Sequence, residues 1–252
     1  TAAGLAAAGK IPFASTFAVF ATGRVYDQIR NSVAHSQLNV KIAGSHSGIT
    51  VGEDGASHQA LEDISLMRSL PGMTILVPAD APEAYRATLA AASWEGPVYL
   101  RLGRPKVSEV IPPGTPFQIG RGTLLQKGSD ICLVSTGSMT AVALKAAGIL
   151  SAQKIESSII HLSTIKPLDR ELVIEEASRT GAVVTVEEHS IIGGLGSAVA
   201  EVLGEHLPTP LKRLGVEDSF GQSGAPGELL EHYGLTPSRV ADTAKKMLDK
   251  GS

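Results

Sequence analysis

Two histidines and an acidic pair share one short stretch, Gly44-Ser-His-Ser-Gly-Ile-Thr-Val-Gly-Glu-Asp-Gly-Ala-Ser-His-Gln59. His46 and His58 flank Glu53 and Asp54, and Gly48, Gly52 and Gly55 let the backbone turn sharply between them. Imidazoles and carboxylates gathered in this way move protons near neutral pH or grip hydroxyls and phosphates. A helix opening near Gln59 would set its positive end beside His58 and favour an anionic ligand. A metal site is the other chemistry to weigh, but the spacing matches no zinc pattern and no cysteine lies near. A plain surface loop with merely solvated histidines would be an unusual setting for so many functional groups.

A second candidate is Thr16-Phe17-Ala-Val-Phe20-Ala-Thr-Gly-Arg24. Residues three apart share a helix face, so Phe17 and Phe20 are expected side by side. Their rings either pack into the core or stack against a flat heteroaromatic ligand.

These residues need a frame. Short apolar runs alternate with amphipathic stretches: strands are expected at Ile11–Ser15, Val40–Gly44, Thr74–Pro78 and Pro97–Leu102, and helices at Phe17–Ala34, Gln59–Leu70 and Pro82–Trp94, with Pro82 at the first helical position. Both candidate stretches leave the ends of expected strands, where open α/β sheets hold their ligands. Arg104–Phe117 then carries five of the chain's residues that stiffen or break structure, Pro105, Pro112, Pro113, Gly114 and Pro116. The pattern restarts beyond it. Strands are expected at Asp130–Val134, Ser157–His161, Ala182–Glu187 and Leu211–Gly215, and helices at Met139–Ala152, Asp169–Thr180, Leu195–His206 and Pro237–Lys250. The fold class is therefore α/β: two open, mainly parallel twisted sheets with helices on both faces. The expected division is a first domain over 1–104, a Pro-rich linker over 105–118 and a second domain over 119–252.

Composition narrows the function classes. Apolar residues make up 43% of the 252, aromatics only 4%, and the net charge is −3 with both signs interspersed. That balance argues against a nucleic-acid or anionic-membrane surface, which needs a basic patch. No apolar run approaches the ~20 residues of a membrane span. The single cysteine, Cys132, sits in a strand-like run and reads as a small buried hydrophobe. A chain without a disulfide framework fits a reducing cytoplasm.

Taken together, Phe-x-x-Phe, then His-Ser-Gly-Ile-Thr-Val-Gly-Glu-Asp-Gly-Ala-Ser-His-Gln, then Arg-Ser-Leu-Pro-Gly-Met-Thr-Ile-Leu-Val-Pro-Ala-Asp, then Tyr-Leu-Arg-Leu-Gly-Arg resemble transketolase. The resemblance is to the C-terminal section of a split transketolase, which carries the pyrimidine-binding and C-terminal domains, and it covers nearly the whole chain. It implies transfer of a two-carbon ketol unit between ketose and aldose phosphates, with thiamine diphosphate and Mg²⁺ as cofactors. Phe17 and Phe20 would pack on the aminopyrimidine. His46 would stand near the thiazolium and the substrate, Asp54 would bond a donor hydroxyl, and His58 would bind the C1 hydroxyl or ketol oxygen. Arg104 would meet the sugar phosphate, which a guanidinium fork suits. The family often has a further aromatic where this chain has Gly23, so a looser pyrimidine pocket is expected.

The resemblance also implies a partner. The family's diphosphate–magnesium motif is Gly-Asp-Gly followed by Asn, and the asparagines here, Asn31 and Asn39, both precede Asp54. The diphosphate-binding subunit is expected to hold the diphosphate and metal, two copies of each subunit forming the working assembly. The family's catalytic glutamate precedes the alanine-rich helix in which Thr1 stands. A missing upstream segment is expected on that ground, with inactivity alone and, if that segment is lacking, with the partner too; an upstream piece that the partner orders is the alternative. Without its partner the chain is expected to form a homodimer or homotetramer.

Three other readings compete. A related ketol transferase or a deoxyxylulose-phosphate synthase subunit would use the same cofactor, though the latter resembles this chain less around Glu53 and Asp54. A self-associating nucleotide-binding or structural module would use Gly194-Leu-Gly196-Ser-Ala198, which follows a strand and opens a helix. The residues between strand and glycines make that fingerprint a poor fit. Glu187-Glu188-His189 could titrate unusually, or be a structural hydrogen-bond cluster or a subunit contact.

Overall fold

The computed structural model describes residues 1–250, so the last two positions of the expected second domain lie outside it. The first half runs α1 (Ala2–Ala7), β1 (Phe13–Phe17), a helical stretch of which Tyr26–Gln28 is α2, β2 (Lys41–Ser45), α3 (Asp63–Arg68), β3 (Thr74–Leu76), α4 (Ala81–Ser93) and β4 (Val98–Arg101). The second half adds β5 (Thr123–Gln126), β6 (Ile131–Ser135), α5 (Met139–Ser151), β7 (Ser157–His161), β8 (Thr164–Lys166), α6 (Arg170–Thr180), β9 (Val183–Ser190), α7 (Leu195–His206), β10 (Leu211–Val216), α8 (Pro226–His232) and α9 (Pro237–Lys250).

Strands β6 and β7 are buried along their whole length, as strands covered on both faces must be. The strands form two five-stranded sheets, ordered β1-β2-β4-β3-β8 and β10-β9-β6-β7-β5. All pairings are parallel except those of the edge strands β8 and β5. The expected α/β architecture of two mainly parallel sheets is present.

Several boundaries differ, each for a local reason. The helix expected from Phe17 starts one residue later, at Ala18, and Phe17 ends β1. That helix winds in π turns over Phe20–Arg24 and Ile29–Ala34. Thr22 Oγ1 donates to the Ala18 carbonyl at 2.8 Å, the acceptor that a regular turn gives to the backbone. The helix expected from Gln59 begins only at Asp63. The chain before it is tied elsewhere: Ala60 bridges Ser47, and Gly48 N–H donates to the Ala60 carbonyl at 3.0 Å. His58 therefore stands on a loop and not at a helix N-terminus. Pro82 is the second residue of α4, whose cap is Asp80 accepting from Glu83 N–H at 2.9 Å.

Strands β5 and β8 and helix α8 have too little periodicity to be seen in sequence. Strand β8 matters most, because it carries the second half into the first sheet beside β3. Lys166 Nζ then donates to the Arg68 and Leu70 carbonyls at 2.9 and 2.6 Å, closing the C-terminal end of α3. One hydrophobic core joins the halves, running from Ile42, Ile64 and Ile75 to Val134, Ile160 and Val199. The proline-rich stretch forms no regular element, yet Val110 and Ile111 N–H both donate to Asp80 Oδ2 at 2.9 Å, pinning it to the start of α4. Among the described residues no helix is long and apolar enough to cross a membrane.

Candidate functional site

The site is built at the C-terminal ends of three adjacent parallel strands. Register pairs Phe17 with Ser45 and Gly44 with Arg101, so β1, β2 and β4 finish level with one another. Phe17 closes β1, His46 follows β2, and Arg104 follows β4. This is the edge where open α/β sheets bind ligands.

Four rings cluster there. His46, whose φ is 56°, lies against Phe17 with centroids 3.9 Å apart and planes 8° from parallel. Phe20 continues the layer, stacked 6.0 Å from Phe17. His58 meets Phe17 and Phe20 edge-on, at 6.1 and 5.3 Å. All four are half-buried. The guanidinium of Arg24 sits 4.3 Å from the Phe20 centroid, a cation–π contact next to the position where Gly23 contributes no ring.

The charged groups form a second cluster on the same loop. Arg104 Nη1 stands 3.6 Å from Asp54 and 3.7 Å from Glu53, and also donates to the Val51 carbonyl. All three side chains are exposed, so the ion pairs are open to water and add little stability. Phe17, Phe20, His46 and His58 are thus one group, and Asp54 and Arg104 another, joined by the turn from Gly48 to Gly55. Among the described residues no group of three or more His, Cys, Asp or Glu is placed to hold a metal ion.

The loop rests on a buried ionic foundation. Asp63 accepts from Tyr99 Oη at 2.6 Å and from Arg101 Nε and Nη2 at 2.7 and 3.2 Å. Burial would raise the Asp63 carboxyl, but Arg101, His189 and these hydrogen bonds outweigh it and hold it below its ordinary value. Arg101 Nη2 reaches further, to the Ala60 and Glu188 carbonyls at 3.3 and 3.0 Å. Gln59 fastens the loop from within, its amide donating to the Ile49 and Gln222 carbonyls at 3.1 and 2.9 Å. Neither Gln59 nor the Asp63–Arg101 pair stands out in the sequence, since only their burial marks them.

Glu187-Glu188-His189 forms a hydrogen-bond cluster, and burial also shifts Glu187 and His189 from their ordinary values. Glu187 accepts from Leu195 and Gly196 N–H at 2.6 and 2.8 Å. A Cβ on Gly194 would fall 2.0 Å from Glu187 Oε2. Gly194 thus admits the protein's own carboxylate to the start of α7, where a nucleotide phosphate would have to sit. Burial pushes the Glu187 carboxyl up to about 7, against the pull of those two amides. Burial also brings the neighbouring His189 down to about 4, against Asp63. Cys132 is buried, and its thiol is pushed up to about 12.

Residues 1–109 match the family described as Transketolase, pyrimidine binding domain, and residues 120–240 match Transketolase, C-terminal domain. The chain is 45% identical over 249 residues to a 6-deoxy-6-sulfo-D-fructose transketolase subunit of Clostridium sp. (strain MSTE9), covering 99% of this chain and 77% of that one. It is 39% identical to a 1-deoxy-D-xylulose-5-phosphate synthase of Symbiobacterium thermophilum, over 98% of this chain but 38% of the synthase. A solved structure described as a split gene transketolase, inactive beta4 tetramer, superimposes with a TM-score of 0.93 at 54% identity, covering 98% of this chain and 80% of that one. The chain belongs to the transketolase family, whose pyrimidine-binding and C-terminal domains it carries.

Proposed function

We propose that this chain is the pyrimidine-binding subunit of a split transketolase that moves a two-carbon ketol unit between a ketose phosphate and an aldose phosphate. The observation that carries the reading is the meeting of an aromatic layer with a charged cluster at one strand edge. Phe17 and Phe20 offer a half-buried stacked face of the kind a planar heteroaromatic ring needs, which fits the aminopyrimidine of thiamine diphosphate. Bound, that cofactor supplies an electron sink for the carbanion. His46 and His58 border the rings and orient the donor or move its hydroxyl protons, through imidazoles suited to neutral pH. Asp54 accepts a hydrogen bond from a donor hydroxyl. Arg104, an exposed guanidinium, takes the substrate's phosphate, exchanging its contact with Asp54 for a bidentate one.

The diphosphate and its Mg²⁺ fall to a diphosphate-binding partner subunit, two of each chain forming a heterotetramer that works in sugar-phosphate metabolism of the cytoplasm. The domains divide as 1–104 and 119–252 about the 105–118 linker. The test is reconstitution: the full-length subunit, thiamine diphosphate, Mg²⁺ and the partner are mixed, and ketol transfer between xylulose and ribose phosphates is followed. Transfer that needs both chains and the cofactor supports the reading. Binding of a nicotinamide dinucleotide with no response to thiamine diphosphate would overturn it.

A further inference from the structure

The second half contributes no ring or guanidinium to the clusters at the strand edge, yet one of its side chains grips the loop that bears them. Glu188, near the end of β9, is 5% exposed. Its Oε1 accepts from Thr50 N–H at 2.8 Å and from Thr50 Oγ1 at 2.7 Å, and its Oε2 accepts from Ser138 Oγ at 2.9 Å. All three donors are neutral, and the nearby Arg101 guanidinium adds a favourable charge interaction.

Thr50 is the middle residue of the tight turn Ile49–Val51, bounded by Gly48 at φ 79° and Gly52 at φ 86°. His46 stands just before Gly48 and Asp54 just after Gly52. A Cβ on Gly48 would approach Glu188 Oε1 to 2.2 Å, so this glycine supplies both the left-handed backbone and the room for the carboxylate. The same strand end is sewn to the loop again by Ser190 N–H, which donates to the Leu61 carbonyl at 2.8 Å. The turn therefore takes its position from β9 as well as from Ala60, Gln59 and Arg104 of its own half.

We propose that Glu188 is a positioning residue for ketol transfer: its carboxylate, delivered by β9, fixes the Gly48–Gly52 turn and so sets where His46 and Asp54 stand. The inference rests on the proposed roles of those two residues. Loss of the carboxylate leaves the Thr50 amide and hydroxyl buried without an acceptor, and the turn must open to water to satisfy them. Glutamine is a conservative substitute. It keeps one oxygen for Thr50 and turns its amide to Ser138, whose hydroxyl can accept as well as donate.

Two measurements test this. In the isolated chain, Glu188→Ala should speed amide hydrogen exchange across residues 48–55 about tenfold or more, since local opening sets that rate. Glu188→Gln and Ser138→Ala should stay near the wild type. Thr50→Val, which keeps the amide bond and loses the hydroxyl bond, should show a smaller change in the same direction and serves if the alanine variant does not fold. In the reconstituted complex with thiamine diphosphate and Mg²⁺, Glu188→Ala or Thr50→Val should lower kcat by about 10- to 100-fold for a misplacement near 1 Å, with a much smaller change in donor KM. Glu188→Gln should restore most of it. Unchanged exchange and unchanged kcat in both variants would overturn the proposal, as would faster exchange spread evenly over the second sheet. A wild-type complex without ketol transfer would overturn the transketolase reading instead, and the exchange pattern would still decide whether Glu188 holds the turn.

Discussion

The imidazole of His46 lies flat against Phe17, 3.9 Å between centroids and 8° from parallel. A group expected to meet the substrate is thus set by a group expected to meet the cofactor. Phe17→Ala should weaken apparent affinity for thiamine diphosphate in the reconstituted complex about tenfold, a stacked aromatic contact and its buried area being worth on the order of 1–2 kcal/mol. Phe17→Tyr should lose little. Activation titrations against the cofactor would measure both, and an unaltered half-saturation point in the alanine variant would count against the aromatic layer as the pyrimidine site.

Asp54 is exposed and its side chain pairs with Arg104 at 3.6 Å, so its removal should leave folding intact. Asp54→Ala should keep the wild-type melting temperature while lowering kcat/KM about 100-fold, the usual scale for a positioned acid–base or hydroxyl-binding group. Arg104→Leu should act chiefly on KM for phosphorylated sugars. Full activity in Asp54→Ala would sink the substrate role of the loop.

Glu187 and His189 should oppose one another in the pH dependence of stability. Glu187 rises from an ordinary 4.5 to about 7 on folding, so its contribution is present at low pH and is lost as pH rises through about 7. His189 falls from 6.5 to about 4, so the folded state loses stability as pH drops from 6.5 towards 4. Over the shared window the two slopes cancel. Glu187→Gln removes one of them, and its urea midpoint should climb with pH between 4.5 and 6.5 with a linkage of about one proton. A variant whose midpoint tracks the wild type across that window would show that these groups titrate otherwise.

Arg101→Met should be the most damaging change beneath the loop. It leaves the fully buried Asp63 carboxylate without its cation, a loss of about 3–5 kcal/mol in chemical denaturation. Loss below about 1 kcal/mol would mean that water reaches the pair.

Exposed Leu5, Ile11, Phe13 and Val25 lie on and around the edge strand β1, an apolar surface beside an unpaired strand edge. The isolated chain should therefore sediment as a dimer or tetramer, and Phe13→Glu should shift it towards the monomer. A wild-type monomer at micromolar concentration in analytical ultracentrifugation would exclude this surface as the contact.

Much of the fold was legible because it is locally written. The spacing of apolar residues places α7 at Leu195–His206 and β7 at Ser157–His161, and the structure has the same limits. The glycine loop and the Phe pair could be singled out because their side chains are chemically conspicuous. What stayed hidden depends on partners far along the chain. Gln59 to Glu62 read as helix, and stay outside it because Ala60 bridges Ser47 and the Gln59 amide serves Ile49 and Gln222. Strand β8 is three residues long and exists through its pairing with β3.

The sequence by itself determined the alternation of strands and helices, the family, and which side chains carry chemistry, because periodicity and side-chain type are properties of neighbouring residues. Only the tertiary structure decided how those side chains are aimed. Thr50 and Glu188 are separated by 138 positions, and the bonds between them arise when two sheets share one core. Hydrogen bonds of that range leave no mark in local spacing, since they are satisfied only after the backbone has been brought together.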